Sequence, residues 1–463
     1  MLFNSTEFLL VFLPITYLVF WGLSTARARY VWLAVTGYIF YSYWNPWFTL
    51  LMLFSTVVSF AAGLGFLRWA DDPGRRKLCL VVPITVDLLL LGFFKYYNFG
   101  LDTARQVIHW FGVDLQVPHL HILLPIGISF YTFHTISYIV DSYRGVIKPT
   151  RNFFEFSAYV SLFSQLVAGP IVRFRQIEQD LENLGHADRT RWLGRGISFF
   201  IFGLVEKVVI ADSLAAFVDP ALASYQTLST TGTWLAMLGY TFQLYFDFSG
   251  YSTMAVGLGY MFGLRIPQNF NSPYKALDPS DFWRRWHISL STCMRDYLYI
   301  PFGGNRGGAL ATYRNLMLTM LIGGLWHGAS WTFVFWGGYH GALLSAHRLH
   351  ADAWERLPRW FRQLSMFLAA VVGWVFFRAT DFPMAWVVLR RMFLPTAGTV
   401  PADWPLVLLA LSVAGLWAIR GPNAFDLKHE WRWPGRIALA TAAGTALALI
   451  VGNRPSPFLY FQF

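Results

Sequence analysis

Between Arg314 and Arg348 lie thirty-three residues, NLMLTMLIGGLWHGASWTFVFWGGYHGALLSAH, without one Asp, Glu, Lys or Arg. At about 1.5 Å per helical residue this is roughly 50 Å of helix, against a hydrocarbon core of about 30 Å. One straight span cannot use it all, so the run must bend or restart. Gly323, Gly324 and Gly328, set around Trp326 and His327, mark the place. Backbone at membrane depth breaks only where protein or a water-filled cavity satisfies its polar groups. The sequence therefore predicts His327 at an irregular point inside the membrane, beside a cavity. An ionisable group there is a functional hypothesis by default.

Composition agrees with a chain built for a bilayer: 56% of residues are hydrophobic, 19% aromatic and only 13% charged. Apolar stretches fall at 8–26, 30–67 (a hairpin of two), 78–94, 122–140, 156–172, 197–218, 220–246, 248–264, 315–347 (broken), 363–377, 404–419 and 437–453. The reading is an all-α polytopic membrane protein with roughly eleven to thirteen membrane-embedded segments in a single domain. The net charge of +11 comes from basic residues between apolar segments, which is the positive-inside pattern rather than a nucleic-acid surface. The first apolar segment lacks a basic n-region and a small-residue cleavage site, and reads as a retained helix. Cys79 and Cys293 show neither metal-ligand spacing nor a disulfide framework, and read as packing residues.

The hairpin of 30–67 turns at Asn45-Pro46, among Tyr41, Tyr43, Trp44 and Trp47. If the basic loops at 27–29 and 68–77 are cytoplasmic, the N-terminus and that turn lie outside. The loops at 144–151 and 173–195 are both basic, although the apolar stretch 156–172 separates them. Two loops on one side exclude a single crossing, so the region of about 122–195 is expected to hold a re-entrant element, broken at Gly169-Pro170. Pro125 and Gly127 interrupt 122–140 as well, near His134. Residues 265–314 are too charged to span and too aromatic for a free linker. Within them DPSDFWRRWHISLSTCMRDYL opens on an Asp278-Pro279-Ser280 cap signal and keeps helical spacing for about four turns, which predicts an interfacial amphipathic helix.

His287 and His327 form the main chemical candidate. A neutral imidazole can take a proton from an attacking hydroxyl, and a positioned general base contributes about 10²–10⁴-fold. Structural histidines bonded to backbone at a helix break are the alternative. The run FDFSGYS places Asp247 beside hydroxyls and a glycine, either to orient a substrate or a histidine or to cap a helix. Arg284, Arg285 and Arg295 can meet an anionic cofactor such as the phosphates of coenzyme A, or pair with Asp281 and Asp296. No HExxH, Walker loop, dinucleotide fingerprint or GxSxG elbow occurs, and no metal site is expected.

Seven stretches carry a resemblance: MLFNSTEFLLVFLPI, LLPIGISFYTFHTISYIVD, QLVAGPIVRF, FDFSGYS, DFWRRWHISLSTCMRDYLYIPFGGNR, GGLWHGASWTFVFWGGYHG and the terminal FLYFQF. In these, over essentially its whole length, the chain resembles the membrane-bound O-acyltransferases. The similarity is to the bacterial branch that includes the alginate O-acetyltransferase membrane subunit and its cellulose, peptidoglycan and teichoic-acid relatives. The resemblance implies a ring of membrane helices, with re-entrant segments, around a central tunnel. It makes His327 the catalytic residue and His287 the second histidine, with a catalytic region at about 265–350. In the tail, 454–463, it makes Tyr460 a possible acyl relay. Arg284, Arg285 and Asp247 are then the donor-binding candidates. Acetyl-coenzyme A is the implied acyl donor, with no bound cofactor, in a multi-pass protein of the bacterial inner membrane. Extracytoplasmic acetyltransferase subunits would complete transfer to an exopolysaccharide such as alginate, or to cellulose, peptidoglycan or another glycan. Membrane lipid is the other implied partner. The rival of another class is a proton-coupled transporter with a central histidine relay, whose expected signature of two similar halves is not found. A membrane scaffold would leave the broken helix and its histidine without a purpose.

Overall fold

The computed structural model describes residues 1–452, apart from Leu115, Ala168 and Ala402, together with Leu459. Among the described residues regular structure is helical, with one isolated bridge between Leu228 and Thr399 and no strand. The principal helices are α1 (Phe8–Gly22), α2 (Ala26–Ser42), α3 (Pro46–Arg68), α4 (Pro73–Leu91), α5 (Ile128–Tyr143), α6 (Phe153–Val160), α7 (Arg189–Leu204), α8 (Asp212–Ala223) and α9 (Thr230–Met261). They continue with α10 (Pro279–Arg285), α11 (Ile288–Met294), α12 (Gly308–His327), α13 (Trp331–Leu349), α14 (Arg359–Arg378), α15 (Trp404–Arg420) and α16 (Trp433–Gly452).

Local sequence explains most of the helix starts. Asn45, Asp72 and Asp278 each accept a first-turn N–H, from Trp47, Arg75 and Asp281 at 3.0, 3.0 and 2.7 Å, and each is followed by a proline whose missing N–H needs no partner there. Four helical stretches are long and apolar enough to cross a membrane: Pro46–Arg68, Pro73–His109, Arg359–Arg378 and Trp433–Gly452. Their outward faces carry exposed Val81, Val82, Leu88, Leu89 and Ile437, which lipid tolerates and water does not.

Two compact units are present. The first comprises Met1–Ile197 and Ala255–Pro267, and the second Ser198–Met254 and Gln268–Phe463. In the first, α3, α4 and α5 share a buried carboxyl: Asp87 accepts from the hydroxyls of Ser55 and Thr135, both at 2.6 Å. In the second, α12 and α13 form a tight hairpin on which α14 packs. A side chain at Gly324 would collide with the carbonyl oxygen of Phe333, so glycine is what lets the two hairpin backbones close.

The predicted breaks divide into those the structure reproduces and those it moves. The turn at Asn45 and the restart at Gly127, which has φ 79°, stand as expected. Arg314–Arg348 is broken between His327 and Trp331. The element at 156–172 differs: α6 ends at Val160, a single turn occupies Phe163–Leu166, and the break precedes Gly169-Pro170. Residues 220–246 and 248–264 are not separate segments across FDFSGYS, because α9 runs unbroken through it. The expected interfacial helix of four turns is instead α10, a kink at Trp286-His287, α11 and a wide turn at Arg295–Tyr299.

Candidate active site

The kink at His287 is imposed by Asn269. His287 adopts φ 44° and ψ 55°, a left-handed conformation that side chains with a Cβ seldom take. Asn269 accepts the N–H of Ile288 on its main-chain oxygen at 2.8 Å. Its side-chain Oδ1 accepts from Ser289 N at 3.1 Å and Ser289 Oγ at 2.8 Å. Main-chain donors freed by the break are thus satisfied from one residue, as a buried break requires.

The same Asn269 fixes the imidazole. Its amide Nδ2 donates to Ser252 Oγ on α9 at 3.0 Å, which leaves Oδ1 as acceptor for His287 Nδ1 at 3.1 Å. Nδ1 therefore carries the proton and Nε2 the lone pair. His287 is fully buried, and Nε2 has no partner among the described residues. Phe248 of α9 lies edge-on to the ring, with centroids 4.7 Å apart.

His327 is the last residue of α12. Gly328 follows in extended conformation, φ −157° and ψ 150°, and Ser330 caps α13 through Thr332 N at 3.3 Å. Trp336 stands edge-on to the His327 ring at 5.0 Å and Phe377 at 5.3 Å. The two histidine rings are 6.5 Å apart between centroids. Their nearest nitrogens then stand no closer than about 4 Å, too far for a direct hydrogen bond.

A cavity of about 510 Å³ opens on His327. One wall is a stripe of α12, Leu316, Thr319, Met320, Gly323 and His327, spaced along a single helix face. Met294 and Arg295 lie on the opposing wall, and Trp283 and Arg284 come from α10. The lining is largely apolar, with two guanidinium groups where it is exposed. Arg284 is 68% exposed and lies 3.8 Å from Asp281, while Arg295 is 59% exposed and 2.7 Å from Asp296. Ion pairs this exposed hold their partners weakly, so both cations remain available to an anion.

The structure thus puts His327 and Arg284 on the cavity wall, with His287 fully buried behind it, 6.5 Å from His327 between ring centres. It puts Arg285 elsewhere, bonded to Asp281 at 2.9 Å and to the carbonyl of Asn271 at 3.2 Å. Asp247 is buried in α9 and paired with Lys207 at 2.5 Å. Neither of these two lines the cavity. Tyr460 lies outside the described residues. The reading from sequence missed Asn269, whose only signal was a polar QNFN run before the aromatic stretch, and Trp336, indistinguishable there from core.

The family model for MBOAT, the membrane-bound O-acyltransferase family, matches residues 118–382. The protein named "Probable alginate O-acetylase AlgI" in Azotobacter vinelandii is 48% identical over 396 residues, covering 85% of this chain and 78% of that one. Its namesake in Pseudomonas putida is 46% identical with both chains covered in full. A peptidoglycan O-acetyltransferase of Helicobacter pylori is 37% identical over 85% of this chain and 80% of its own length. These similarities replace the transporter reading, and with the apolar helices they make the chain an integral membrane protein. Both histidines, the Asn269 that holds His287 and the cavity wall fall inside the matched span, and the chain belongs to the membrane-bound O-acyltransferase family, in which it is an O-acyltransferase.

Proposed function

We propose that this enzyme moves acetyl groups from acetyl-coenzyme A, on the cytoplasmic side of the bacterial inner membrane, toward O-acetylation of an exopolysaccharide of the alginate type. The observation that carries it is His327 on the wall of an apolar cavity whose exposed part bears Arg284 and Arg295. An anionic nucleotide would pair with the two guanidinium groups while its apolar thioester arm reaches toward the imidazole. The relatives named for alginate, at 46–48% identity, favour that polymer over peptidoglycan at 37%.

In the reaction, His327 takes the proton of the attacking hydroxyl as its oxygen bonds to the thioester carbonyl carbon. The carbon–sulfur bond then breaks, and the proton passes from His327 to the leaving thiolate. His287, held through Nδ1 by Asn269, keeps an Nε2 lone pair near His327 and orients the acyl donor by accepting one of its N–H or O–H groups, since the one proton of the attacking hydroxyl goes to His327. That hydroxyl belongs to Tyr460 acting as an acyl relay, to an extracytoplasmic acetyltransferase partner, or to the glycan itself.

The test uses purified protein in nanodiscs with acetyl-labelled acetyl-coenzyme A. His327→Ala at normal abundance should lower thioester cleavage at least about 100-fold, the contribution of a positioned base. Full turnover in that variant would overturn the role of His327. Label retained on the native chain and lost in Tyr460→Phe would support the relay. Acetyl appearing on peptidoglycan instead of alginate in cells would overturn the polymer assignment.

A further inference from the structure

Acyl transfer at the two histidines makes no use of a charged cluster buried where α9 meets the segment after α7. Lys207 sends Nζ to Asp247 Oδ1 at 2.5 Å and to Asp212 Oδ1 at 2.7 Å. The Lys207 and Asp247 side chains are 1% and 2% exposed, and Asp212 is 17% exposed. Ions this deep in membrane helices are costly and persist where they serve a function. Lys207 engages Asp247 through Oδ1, and Oδ2 of that carboxylate is turned to another donor.

That donor, a neutral main-chain amide, comes from the far end of the chain. Asp247 Oδ2, the second oxygen of that carboxylate, accepts the main-chain N–H of Leu459 at 2.9 Å. The Leu459 side chain is 2% exposed. A main-chain N–H aimed at a buried carboxylate is a charge-assisted bond, stronger than one between neutral groups. The geometry thus reads an apolar peptide by its backbone. Any residue but proline at 459 can supply the donor.

The neighbours of Asp247 on α9 tie this contact to the histidines. Phe248 packs edge-on against His287, and Ser252 accepts from Asn269, which in turn holds His287 Nδ1. FDFSGYS is thus neither a helix cap nor a segment boundary. It is one stretch of helix that holds the C-terminal segment with one residue and the imidazole with two others.

We infer that Lys207, Asp212 and Asp247 form a receptor site for this protein's own C-terminal segment, which is gripped at the main-chain N–H of Leu459. The grip fixes the register of the chain at 459, and the adjoining residue in sequence is Tyr460. The consequence for catalysis rests on the acyl-relay reading, whereas the grip itself does not. Asp247 is accordingly a positioning residue.

Accessibility of position 459 tests the grip without any turnover. In a background with Cys79→Ala and Cys293→Ala, Leu459→Cys keeps the main-chain donor and serves as the reporter in nanodiscs. A water-soluble maleimide should label it slowly. Asp247→Asn keeps side-chain size and leaves Lys207 its Asp212 partner, but the new amide turns its oxygen to the ammonium and its NH₂ to Leu459, donor against donor. Labelling should rise at least tenfold. Lys207→Met with Asp247→Leu removes the pair together, without leaving either of its ions orphaned, and should do the same. Asp87→Asn, a buried carboxyl remote in sequence and in the other unit, should leave labelling within twofold. Labelling unchanged in monodisperse samples of both site variants, or raised equally by Asp87→Asn, would overturn the receptor site. Thioester cleavage measured on the same samples separates the two ideas. A released tail with full acetyl delivery refutes the relay and leaves the receptor site standing, whereas a released tail with donor cleavage retained and delivery lost supports both.

Discussion

Asn269→Ala should separate the folding role of this residue from its role at His287. Truncation removes the Oδ1 acceptor of His287 Nδ1, Ser289 N and Ser289 Oγ, and the Nδ2 donor to Ser252. The two serine hydroxyls can rotate to new partners. The Ser289 main-chain N–H cannot, and the His287 ring N–H keeps only Ser289 Oγ, a long 3.4 Å away, so the cost is about 1–3 kcal/mol for the orphaned donor, plus what the ring bond loses. Thermal unfolding in nanodiscs should register that loss, and Asn269→Asp, which keeps an acceptor for both donors, should lose less. On activity, the His287 ring keeps only the long bond to Ser289 Oγ among the described side-chain hydrogen bonds and should turn from its productive orientation. A fall in kcat of about ten- to a hundredfold is expected, equal to about 1.4–2.7 kcal/mol of transition-state stabilisation. If this loss acts through His287, it vanishes when the imidazole is already gone. Labelled-acetyl turnover by Asn269→Ala combined with His287→Ala should then lie within about threefold of His287→Ala alone, a coupling of about 1–3 kcal/mol. Losses that multiply across the two sites would refute the reasoning and make Asn269 a residue of the fold only.

The two arginines of α10 should behave oppositely. Arg284→Gln should raise KM for an anionic donor about three- to tenfold with kcat held, an effect that shrinks as salt rises. Arg285→Gln should leave KM unchanged and lower the unfolding temperature, since it removes bonds to Asp281 and Asn271. The neighbouring glycines of α12 should also separate. Gly324→Ala forces a methyl into the Phe333 carbonyl and should cost about 1–3 kcal/mol, read by thermal unfolding. Gly323→Leu should leave stability nearly unchanged, because a Cβ there meets only Met294 Cε at 4.0 Å, and should discriminate against longer acyl donors in a turnover comparison of acetyl- and butyryl-coenzyme A.

Features set by local chemistry were legible in the sequence. Length without charge demanded a break in Arg314–Arg348, and the glycines located it within a few residues of Gly328. Asn45-Pro46 announced a turn and Asp278-Pro279 a helix start, whereas the start at Asp72-Pro73 lies inside what reads as the basic loop at 68–77. What stayed hidden depends on residues distant in the chain. Asp247 reads as a polar interruption because its counter-ion, Lys207, is forty residues earlier, and pairing lets α9 continue through it. The stretch from Asp278 to Leu298 keeps helical spacing throughout. It nevertheless kinks at His287, because Asn269, eighteen residues upstream, offers the freed N–H groups better partners than another helical turn would. Spacing reports the face a residue would take in a helix, not whether an outside acceptor outcompetes that helix.

The two breaks are not equivalent, and the difference supports the proposed division of roles. At His327 the chain turns within three residues, and the backbone is held by the Ser330 cap and by close contact between α12 and α13. Phe377 of α14 packs on the His327 ring and on Phe333, and His327 also lines the cavity. At His287 the break is carried by a distant side chain, Asn269, whose Oδ1 serves a main-chain N–H and a ring N–H at once. That sharing locks the imidazole to the kink, and the ring cannot swing without unsatisfying the backbone. A group locked in one tautomer suits holding a substrate in place, and one opening on a cavity suits exchanging a proton with it. On the proposed reaction this arrangement suits His327 to act as base and His287, 6.5 Å away ring to ring, to accept from a second donor group of the substrates.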